Sequence, residues 1–582
     1  MTGPSPQDPV EPRRFLLILI LLLLTLNLFI FLPSMKGDFL WDDKYFISEN
    51  QNILSQGFLK HFLLSPFGGG EGFDENSPKA GQNRQFYRPL TSLSYWLDSK
   101  IWGLNPAAFH LTNILLHLLN SILLFCLLLR LGFGRPASFS GALLFSVFPV
   151  HFENVSWISG RTDLLSFLFA SLSLLFLLKF LEKKGFLRLT ISSLFYLAAL
   201  LSKENVILLP LLYLLMLYLK RRLVKDILFP LLPFCLGFLT WAVLRFNAFG
   251  SSEFHYSGRT LPDFLGTMGF YAWKMIFPFD LSVTINASQI FRQAAYQIFG
   301  LFLVSLLALS ILLILKRRGK EAPYFFPVPV YFIFLLPSTA VIFSLASISL
   351  LAWRFLYLPS AVFVSSLVYV LFQKIRRRAV SVAILIFLLI AYAAEIVPKN
   401  ALYGRDETNY WLGITNLSRE DLIARFNTGI KYLPIDEGKA LRIFEDILGE
   451  KDHPLYGMWK IRVYEELAIY FAFQKDFPKA EHYFQELMRT PPGLSLHAAF
   501  NYAYYFAFSG KAQEGEQIIL EKLRAFPRNH FVLTRAAKFY LVIKDYEKAA
   551  ALYVQDYEIF PARQTRKLIE ELRGLRQKMD KG

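Results

Sequence analysis

Cysteine is scarce in this chain, and so is charge. Only two of the 582 residues are cysteine, Cys126 and Cys235, and both lie inside apolar runs. This excludes a disulfide framework and a cysteine metal site. Charged residues make up 18% of the chain and hydrophobic residues 54%, and the mean hydropathy is positive. The composition excludes an ordinary soluble multidomain protein and indicates a membrane protein with a further part attached.

The formal net charge of +17 does not point to a nucleic-acid partner. Many lysines and arginines stand in short clusters between apolar runs, where they report the orientation of membrane helices. Arg13 and Arg14 precede the first apolar run, so we expect a cytoplasmic N-terminus. No small-residue cleavage site follows that run, which predicts a retained helix rather than a removed signal.

Eleven apolar runs are long enough to be interpreted as membrane crossings. They cover residues 15–32, 111–130, 137–150, 163–181, 188–201, 205–220, 226–248, 296–315, 324–348, 354–373 and 379–397. Threading eleven crossings from an inside N-terminus puts the basic clusters inside, as the positive-inside rule requires. The apolar stretch 262–280 is interrupted by Lys274, Pro278 and Asp280, and we expect an interfacial or re-entrant helix there.

The topology divides the chain into two predicted domains. Residues 1–398 form an all-α, multi-pass transmembrane bundle with a long first outer loop, 34–110, whose segment 68–78 has the composition of a flexible linker. Residues 399–582 follow the last crossing and are expected outside. This second part is charged, rich in tyrosine and helical in its apolar period.

The second domain contains an internal repeat. The segments 468–480, 503–515 and 537–549 align with spacings of 35 and 34 residues, and a weaker copy runs through Lys439 and Ala440. This period, with small residues where two helices must approach, predicts a tetratricopeptide-repeat solenoid of about four helix pairs. The helix predicted at 563–578 has the polar composition of a cap.

The unusual polar residues of the membrane part fall on one predicted side. They include the adjacent acids Asp42 and Asp43, and also Arg88, His110, His151, Glu153, Arg161, Lys203, Glu204 and Arg354. Ionisable residues at helix ends on a single face indicate a polar chamber open to that face. Such a chamber suits the transfer of a group from a membrane-embedded phosphate donor. In that reaction Asp42 or Asp43 would be the base, and the phosphate contacts would be Arg88, Arg161, Lys203 and Arg354.

Structural alternatives stay open for these residues individually. Arg88 and Arg161 could snorkel to lipid head groups, and Lys203 with Glu204 could form a plain solvated turn. His151 and Glu153 could supply half of a metal site, but no complete ligand set is visible in the sequence. No cofactor is required by the pattern, and a divalent cation is left open.

The order of these motifs resembles the transmembrane and tetratricopeptide-repeat O-mannosyltransferase family, whose members have the GT-C fold. The resemblance rests on Trp41-Asp-Asp43, Tyr87-Arg-Pro-Leu90, the stretch 109–117, the stretch 149–161, Lys203-Glu204 and Arg354 to Ser360. It implies that Asp42 is the catalytic aspartate with Asp43 in support, that Glu153 is a second acid near the acceptor, and that Arg161, Lys203 and Arg354 contact the donor phosphate. Trp353 stands where relatives usually carry Glu, which removes the expected partner of Arg354.

The leading hypothesis is therefore an inverting glycosyltransferase. It would move a sugar, with mannose as one candidate, from a polyprenyl- or dolichyl-phosphate to a protein Ser/Thr hydroxyl on the extracytoplasmic side. One alternative keeps the donor and changes the acceptor to an envelope lipid or polysaccharide. Another class is a non-catalytic scaffold or transporter whose repeats bind a partner. We expect a bacterial inner membrane, with the endoplasmic reticulum as the alternative.

Overall fold

The structure is a computed structural model of the whole chain. It describes residues 10–48, 50, 53, 58–64, 67, 86–219, 224–249, 259–283, 285, 290–291, 293–316, 326–343, 351–417, 422–451, 456–489, 496–527 and 530–559. The predicted linker at 68–78 and the predicted capping helix at 563–578 lie outside the described residues. In the described part every regular element is a helix, which agrees with the all-α prediction.

Helices of five residues or more are numbered in chain order. In the first part of the chain these are α1 Val10–Phe31, α2 Pro89–Trp102, α3 Pro106–Arg130, α4 Arg135–Ser146, α5 Phe152–Ser156, α6 Arg161–Glu182, α7 Phe186–Ser202, α8 Leu209–Leu219, α9 Val224–Phe249, α10 Leu261–Ile276, α11 Ala294–Lys316, α12 Pro327–Thr339, α13 Tyr357–Tyr369, α14 Arg378–Tyr403 and α15 Glu407–Leu417.

Seven helical segments in the described part are long and apolar enough to cross a membrane. They are Leu17–Lys36, Pro106–Arg130, Ile158–Glu182, Phe229–Ala248, Ala294–Lys316, Trp353–Lys374 and Arg378–Tyr403. The other four predicted crossings coincide with shorter helices, namely α4 and the apolar segments Phe186–Ser202, Glu204–Tyr218 and Pro327–Thr339. The chain is thus a multi-pass membrane protein, and the count of eleven crossings stays a prediction. The interrupted stretch after residue 260 forms α10, one helix of 16 residues.

The first and last long helices of the membrane part are locked together at their ends by two glycines. A Cβ on Gly37 would lie 1.8 Å from the Tyr403 carbonyl oxygen, and one on Gly404 would lie 2.1 Å from that of Pro33. Only residues without a side chain allow this approach of two backbones. The Asn400 side chain adds a hydrogen bond of 3.0 Å to the Ile30 carbonyl oxygen. The start of the loop that follows α1 is consequently held against the end of α14.

The described residues form two compact units, which meet in sequence between Ile414 and Thr415. The second unit contains eight helices in the described part. They are α16 Leu422–Tyr432, α17 Glu437–Gly449, α18 Tyr456–Phe473, α19 Phe477–Arg489, α20 Leu496–Phe508, α21 Ala512–Ala525, α22 His530–Val542 and α23 Tyr546–Ile559. Successive helices pack as four pairs, α16 with α17 through α22 with α23. This helical region resembles a tetratricopeptide-repeat domain, as its sequence period predicts.

A residue with a positive φ angle recurs, once per repeat, in the turns within three of the helix pairs. Lys475, Gly510 and Lys544 have positive φ angles of 62°, 83° and 63°. Their spacing is 35 and then 34 residues, the register of the aligned segments. Left-handed backbone at a helix end directs the chain back for the second helix of each pair, and glycine adopts it without strain.

Tyrosine and glutamate link one pair to the next. The Tyr505 hydroxyl donates to Glu481 at 2.5 Å, and the Tyr540 hydroxyl donates to Glu516 at 3.0 Å. Both the tyrosines and the glutamates are 35 residues apart, so the same contact recurs in consecutive repeats. Tyr502 and Tyr505 are buried, which places these aromatic residues in the core between helices.

Candidate functional site

The acid pair lies in a turn that packed aromatic rings hold in a strained conformation. Trp41 has a φ of 50°, an unusual value for a residue with a side chain. Its ring centroid lies 5.4 Å from that of Trp157, 5.4 Å from that of Tyr410 and 5.1 Å from that of Trp411. These contacts compensate for the backbone strain and fix the direction in which the next residue, Asp42, leaves the chain.

The two acids have different surroundings. Asp43 is 1% exposed and accepts hydrogen bonds from the Leu40 amide at 3.0 Å, from the Ser159 amide at 2.8 Å and from the Ser159 hydroxyl at 2.5 Å. Burial raises the pKa of Asp43 to about 7, although these hydrogen bonds oppose the rise. Asp43 therefore connects the loop that follows α1 to the 157–160 turn.

Asp42 is partly exposed, and within the described residues its carboxylate has no hydrogen bond or ion pair. It lies within electrostatic range of Asp43 and of Arg354. An accessible carboxylate without a partner can accept a proton from an incoming group, whereas a buried one that is already hydrogen-bonded cannot do so without rearrangement. The geometry thus distinguishes the two acids, which the residue pattern by itself left as alternatives for the base.

Arg354 is held by Glu153. Its guanidinium forms an ion pair with the Glu153 carboxylate, and its backbone amide donates to the second oxygen of that carboxylate at 3.0 Å. The guanidinium carbon lies 5.1 Å from the centroid of the Trp157 ring. Trp353 is buried, and its indole N–H donates to the Ser282 carbonyl oxygen at 2.6 Å. An acid from 201 residues earlier in the chain therefore orients Arg354, so a glutamate at position 353 is not needed for this purpose.

Lys203 is paired with an acid that was not among the predicted site residues. Its ammonium lies 2.7 Å from each carboxylate oxygen of Asp163, and the Asn205 side chain donates to the same carboxylate at 3.2 Å. Lys203 also lies 5.4 Å from the centroid of the Phe355 ring, against which Arg354 packs at 5.5 Å. One aromatic ring thus separates two cations that face the same region.

Arg88 and Glu204 form a two-pronged ion pair. The Nη2 atom lies 2.6 Å from Oε1 and the Nε atom 3.2 Å from Oε2 of the carboxylate. The guanidinium carbon lies 4.3 Å from the centroid of the Phe86 ring. Arg88 and Arg354 each lie within electrostatic range of Lys203, and Lys203 lies within electrostatic range of Glu204. The structure therefore gathers Arg88, Lys203, Glu204 and Arg354 in one region.

Arg161 lies inside the protein and is paired with other buried groups. It is 0% exposed, and its Nη1 atom lies 2.6 Å from Asp98. It also donates to the Asn113 side chain at 2.8 Å and to the Phe109 carbonyl oxygen at 2.9 Å. These partners belong to α2 and α3, so the guanidinium joins three helices. In this conformation Arg161 cannot contact a phosphate without breaking its pair with Asp98.

The two predicted histidines are also internal. His110 is buried on α3, next to Phe109. His151 is buried, and its Nε2 atom is 2.8 Å from the Ser360 hydroxyl. Neither lies in a cluster of metal ligands: in the part of the chain that the structure describes, no group of three or more His, Cys, Asp or Glu residues could hold a metal ion.

Sequence reasoning missed three contributors to this region, Asp98, Ser159 and Asp163. Asp98 lies in α2, and Asp163 lies in the first turn of the largely apolar α6. An acid in a helix of the membrane part needs a partner, so both positions were usable signals. Ser159 carried no signal, because its role depends on a hydrogen bond to a residue 116 positions away.

Comparison with known proteins supports the resemblance inferred from the sequence. Residues 88–244 match the dolichyl-phosphate-mannose-protein mannosyltransferase family. The human protein O-mannosyl-transferase TMTC2 is 34% identical over 161 residues, which cover 28% of this chain and 18% of that protein. Human TMTC1 is 35% identical over 150 residues, or 26% of this chain and 16% of that protein. Human TMTC4 is 36% identical over 159 residues, or 25% and 21%.

These matches cover about a fifth of the relatives' own length. The family match includes Arg88, Glu153, Arg161 and Lys203, and it ends before Arg354. Among solved structures, the P58(IPK) TPR domain covers 70% of this chain at 14% identity with a TM-score of 0.20, which is too low to support an argument about the fold. The resemblance to the O-mannosyltransferases is confirmed as a distant homology.

Proposed function

We propose that this protein is an inverting glycosyltransferase that uses a polyprenyl- or dolichyl-phosphate sugar and acts on a Ser/Thr hydroxyl of a protein. Mannose is the sugar favoured by the family description. The observation that carries the proposal is the Asp42 carboxylate, which has no hydrogen bond or ion pair within the described residues and lies within electrostatic range of Arg354. The same region also holds Lys203 and Arg88. A base next to cations suited to phosphate is the arrangement that such a transfer requires.

In the proposed reaction Asp42 is the base. Its carboxylate takes the proton of the acceptor hydroxyl as the oxygen attacks the anomeric carbon of the sugar. The new carbon–oxygen bond forms on the face opposite the phosphate, and the bond to the phosphate oxygen breaks. The lipid phosphate leaves with the electron pair, so the configuration at the anomeric carbon inverts. The proton stays on Asp42 until it is lost to water.

In this proposal the cations stabilise the departing phosphate. Arg354 and Arg88 offer planar forks, and Lys203 offers a point charge. Each has a carboxylate partner, Glu153, Glu204 and Asp163 respectively. These acids hold the cations in place before the donor arrives and lower the cost of burying them. Glu153 therefore orients Arg354 in addition to the acceptor-side role that the family resemblance implies.

Three predicted site residues receive supporting roles in the proposal. Arg161 fixes α6 against α2 and α3, and so sets the height of the 157–160 turn that binds Asp43. His110 and His151 belong to the packed interior on which this turn rests. A donor contact through Arg161 would require the Asp98 pair to open.

The proposed topology places the site and the repeat array on the extracytoplasmic side, with the N-terminus in the cytoplasm. A bacterial inner membrane is favoured, with the endoplasmic reticulum as the alternative. Reporter fusions test this directly: a reporter after residue 400 and one near Gly70 should be extracytoplasmic, and one near Gly319 cytoplasmic. If the repeat array were in the cytoplasm, the membrane would separate the array from the acceptor, which would contradict the proposal.

The array is proposed to select the acceptor. A solenoid of helix pairs offers an extended surface to a peptide, and binding there would raise the acceptor concentration near Asp42. The membrane part would then suffice for the chemistry.

The acceptor class is tested by mass spectrometry of envelope proteins and lipids from cells with and without Asp42→Ala. Loss of a glycan from proteins supports the proposal, and loss from a lipid or polysaccharide replaces the acceptor. If purified full-length protein turns over no lipid-phosphate sugar while the array binds an envelope protein tightly, the scaffold alternative displaces the enzyme.

A further inference from the structure

Arg245 is a cation of the membrane part that the sequence patterns did not single out. It lies near the end of α9, inside the candidate span Phe229–Ala248. An arginine within an apolar span is costly and is usually retained for a specific interaction. Its guanidinium carbon lies 5.7 Å from the centroid of the Trp241 ring, one turn earlier on the same helix.

The packing of α9 against α7 places Arg245 at the level of the site. A Cβ on Gly237 would lie 3.6 Å from Tyr196 and 3.7 Å from Leu197, so the middles of the two helices are in contact. At about 1.5 Å per residue, Arg245 lies about 12 Å beyond Gly237, and Lys203 lies about 10 Å beyond Tyr196. The two helices run in the same direction, because Glu204, directly after the end of α7, lies within electrostatic range of Arg245 near the end of α9. Both cations are thus at the same end of the bundle.

The charged residues nearest to Arg245 include members of the proposed phosphate site. It lies within electrostatic range of Glu204 and Arg88, the ion pair at the edge of the site. Arg88 in turn lies within range of Lys203, and Lys203 within range of Arg354. The cations therefore form a series that runs from Arg245 to Arg354, which lies within electrostatic range of Asp42.

The other side of α9 is apolar and exposed. Its exposed side chains recur at the spacing of one helix face: Leu232, Leu236, Leu239, Val243 and Phe246. In a membrane-spanning helix such a face contacts lipid. Arg245 lies about 140° around the helix from the centre of this stripe, at about 100° per residue, and is itself only partly exposed. It thus lies on the side of α9 that faces the bundle, within electrostatic range of the Arg88–Glu204 pair, while the opposite side of the same helix contacts lipid.

We propose that Arg245 is the lipid-side end of a phosphate-binding path, where the phosphate of a lipid-linked donor binds before it reaches Arg88, Lys203 and Arg354. The proposal rests on the proposed function. A phosphate attached to a long hydrocarbon chain stays at the membrane interface, since its tail remains in the bilayer. It must approach the site sideways, and a cation at that level on a lipid-facing helix would attract it.

The test compares two donors on purified full-length protein in liposomes. One is dolichyl-phosphate mannose, whose phosphate is confined to the bilayer, and the other is a short-chain citronellyl-phosphate mannose, which also reaches the site from water. For Arg245→Leu we expect kcat/KM for the long-chain donor to fall on the order of tenfold with kcat unchanged, because steering changes the capture rate only. The short-chain donor should lose much less.

A matched control is Arg188→Leu, which removes an arginine near the opposite end of α7, where its guanidinium donates to the Lys183 carbonyl oxygen. This variant should leave both donors unaffected. Arg245→Lys keeps the charge and should retain most of kcat/KM, and it provides a second reading if Arg245→Leu does not insert.

Three results would overturn the inference. Unchanged kcat/KM for the long-chain donor in Arg245→Leu would assign Arg245 to head-group contact alone. Equal losses with both donors, or a loss in kcat, would place it in the reaction itself rather than on the path. Absence of turnover in the unmodified protein would remove the proposed function and the path together, whereas normal turnover with an unaffected Arg245→Leu would remove only the path.

Discussion

The adjacent acids Asp42 and Asp43 permit a direct test of the mechanism, because one substitution can be made at two neighbouring positions. Aspartate to asparagine keeps the shape of the side chain and removes its charge. At Asp42 the loss of the base should lower turnover by about 10²- to 10⁴-fold, the range for a general base. Within the described residues Asp42 has no hydrogen bond to lose, so stability should barely change.

Aspartate to asparagine at Asp43 should lower stability more, and turnover less, than the same change at Asp42. The carboxylate accepts from Ser159 through one oxygen and from the Leu40 amide through the other. An asparagine can keep the first oxygen as an acceptor but presents an NH₂ group to the Leu40 amide. Leaving that buried amide without an acceptor costs about 1 to 3 kcal/mol of stability. Turnover should fall less than in Asp42→Asn, since the base stays in place.

The assay is release of dolichyl phosphate from dolichyl-phosphate mannose by purified protein, together with thermal unfolding of each variant in detergent. Asp42→Asn should unfold with the parent and be nearly inactive, and Asp43→Asn should unfold earlier and keep activity at permissive temperature. Near-normal turnover in Asp42→Asn would refute the assignment of the base. A folded but inactive Asp43→Asn would move that role to Asp43.

Three further results are expected. Because folding raises the pKa of Asp43 from 3.8 to about 7, its contribution to stability is greatest below pH 4 and is lost as the pH rises through 7. The difference between the unfolding temperatures at pH 4.5 and pH 7.5 should therefore be smaller in Asp43→Asn than in the parent. An unchanged difference would exclude Asp43 as its source. Arg354→Lys should raise KM for the donor at least several-fold, since a point charge cannot replace a two-pronged contact. If the variant has the same donor kinetics as the parent, Arg354 has only a packing role. Asp98→Asn should destabilise the protein by about 3 to 5 kcal/mol, because Arg161 is left buried without its counterion. Thermal unfolding measures this loss of stability. A smaller loss would mean that Asn113 and the Phe109 carbonyl are enough to stabilise the buried guanidinium.

The features that follow from local pattern were accessible from the sequence. Long apolar runs become helices wherever they occur, so the seven long apolar helices coincide with predicted crossings. The repeat period was equally local: a turn that returns the chain must recur once per helix pair, and Lys475, Gly510 and Lys544 carry it in the predicted register. The acid pair was singled out because the other unusual polar residues of the membrane part fall on the same predicted side.

The partners of the charges were decided only by the tertiary structure. Arg354 meets Glu153 across 201 positions, and Arg88 meets Glu204 across 116. No local rule specifies such pairs, because they depend on which helix ends come together. The same holds for the two acids. Asp43 differs from Asp42 because the chain packs Ser159 against one of them, and burial with hydrogen bonds gives adjacent, chemically identical side chains different tasks.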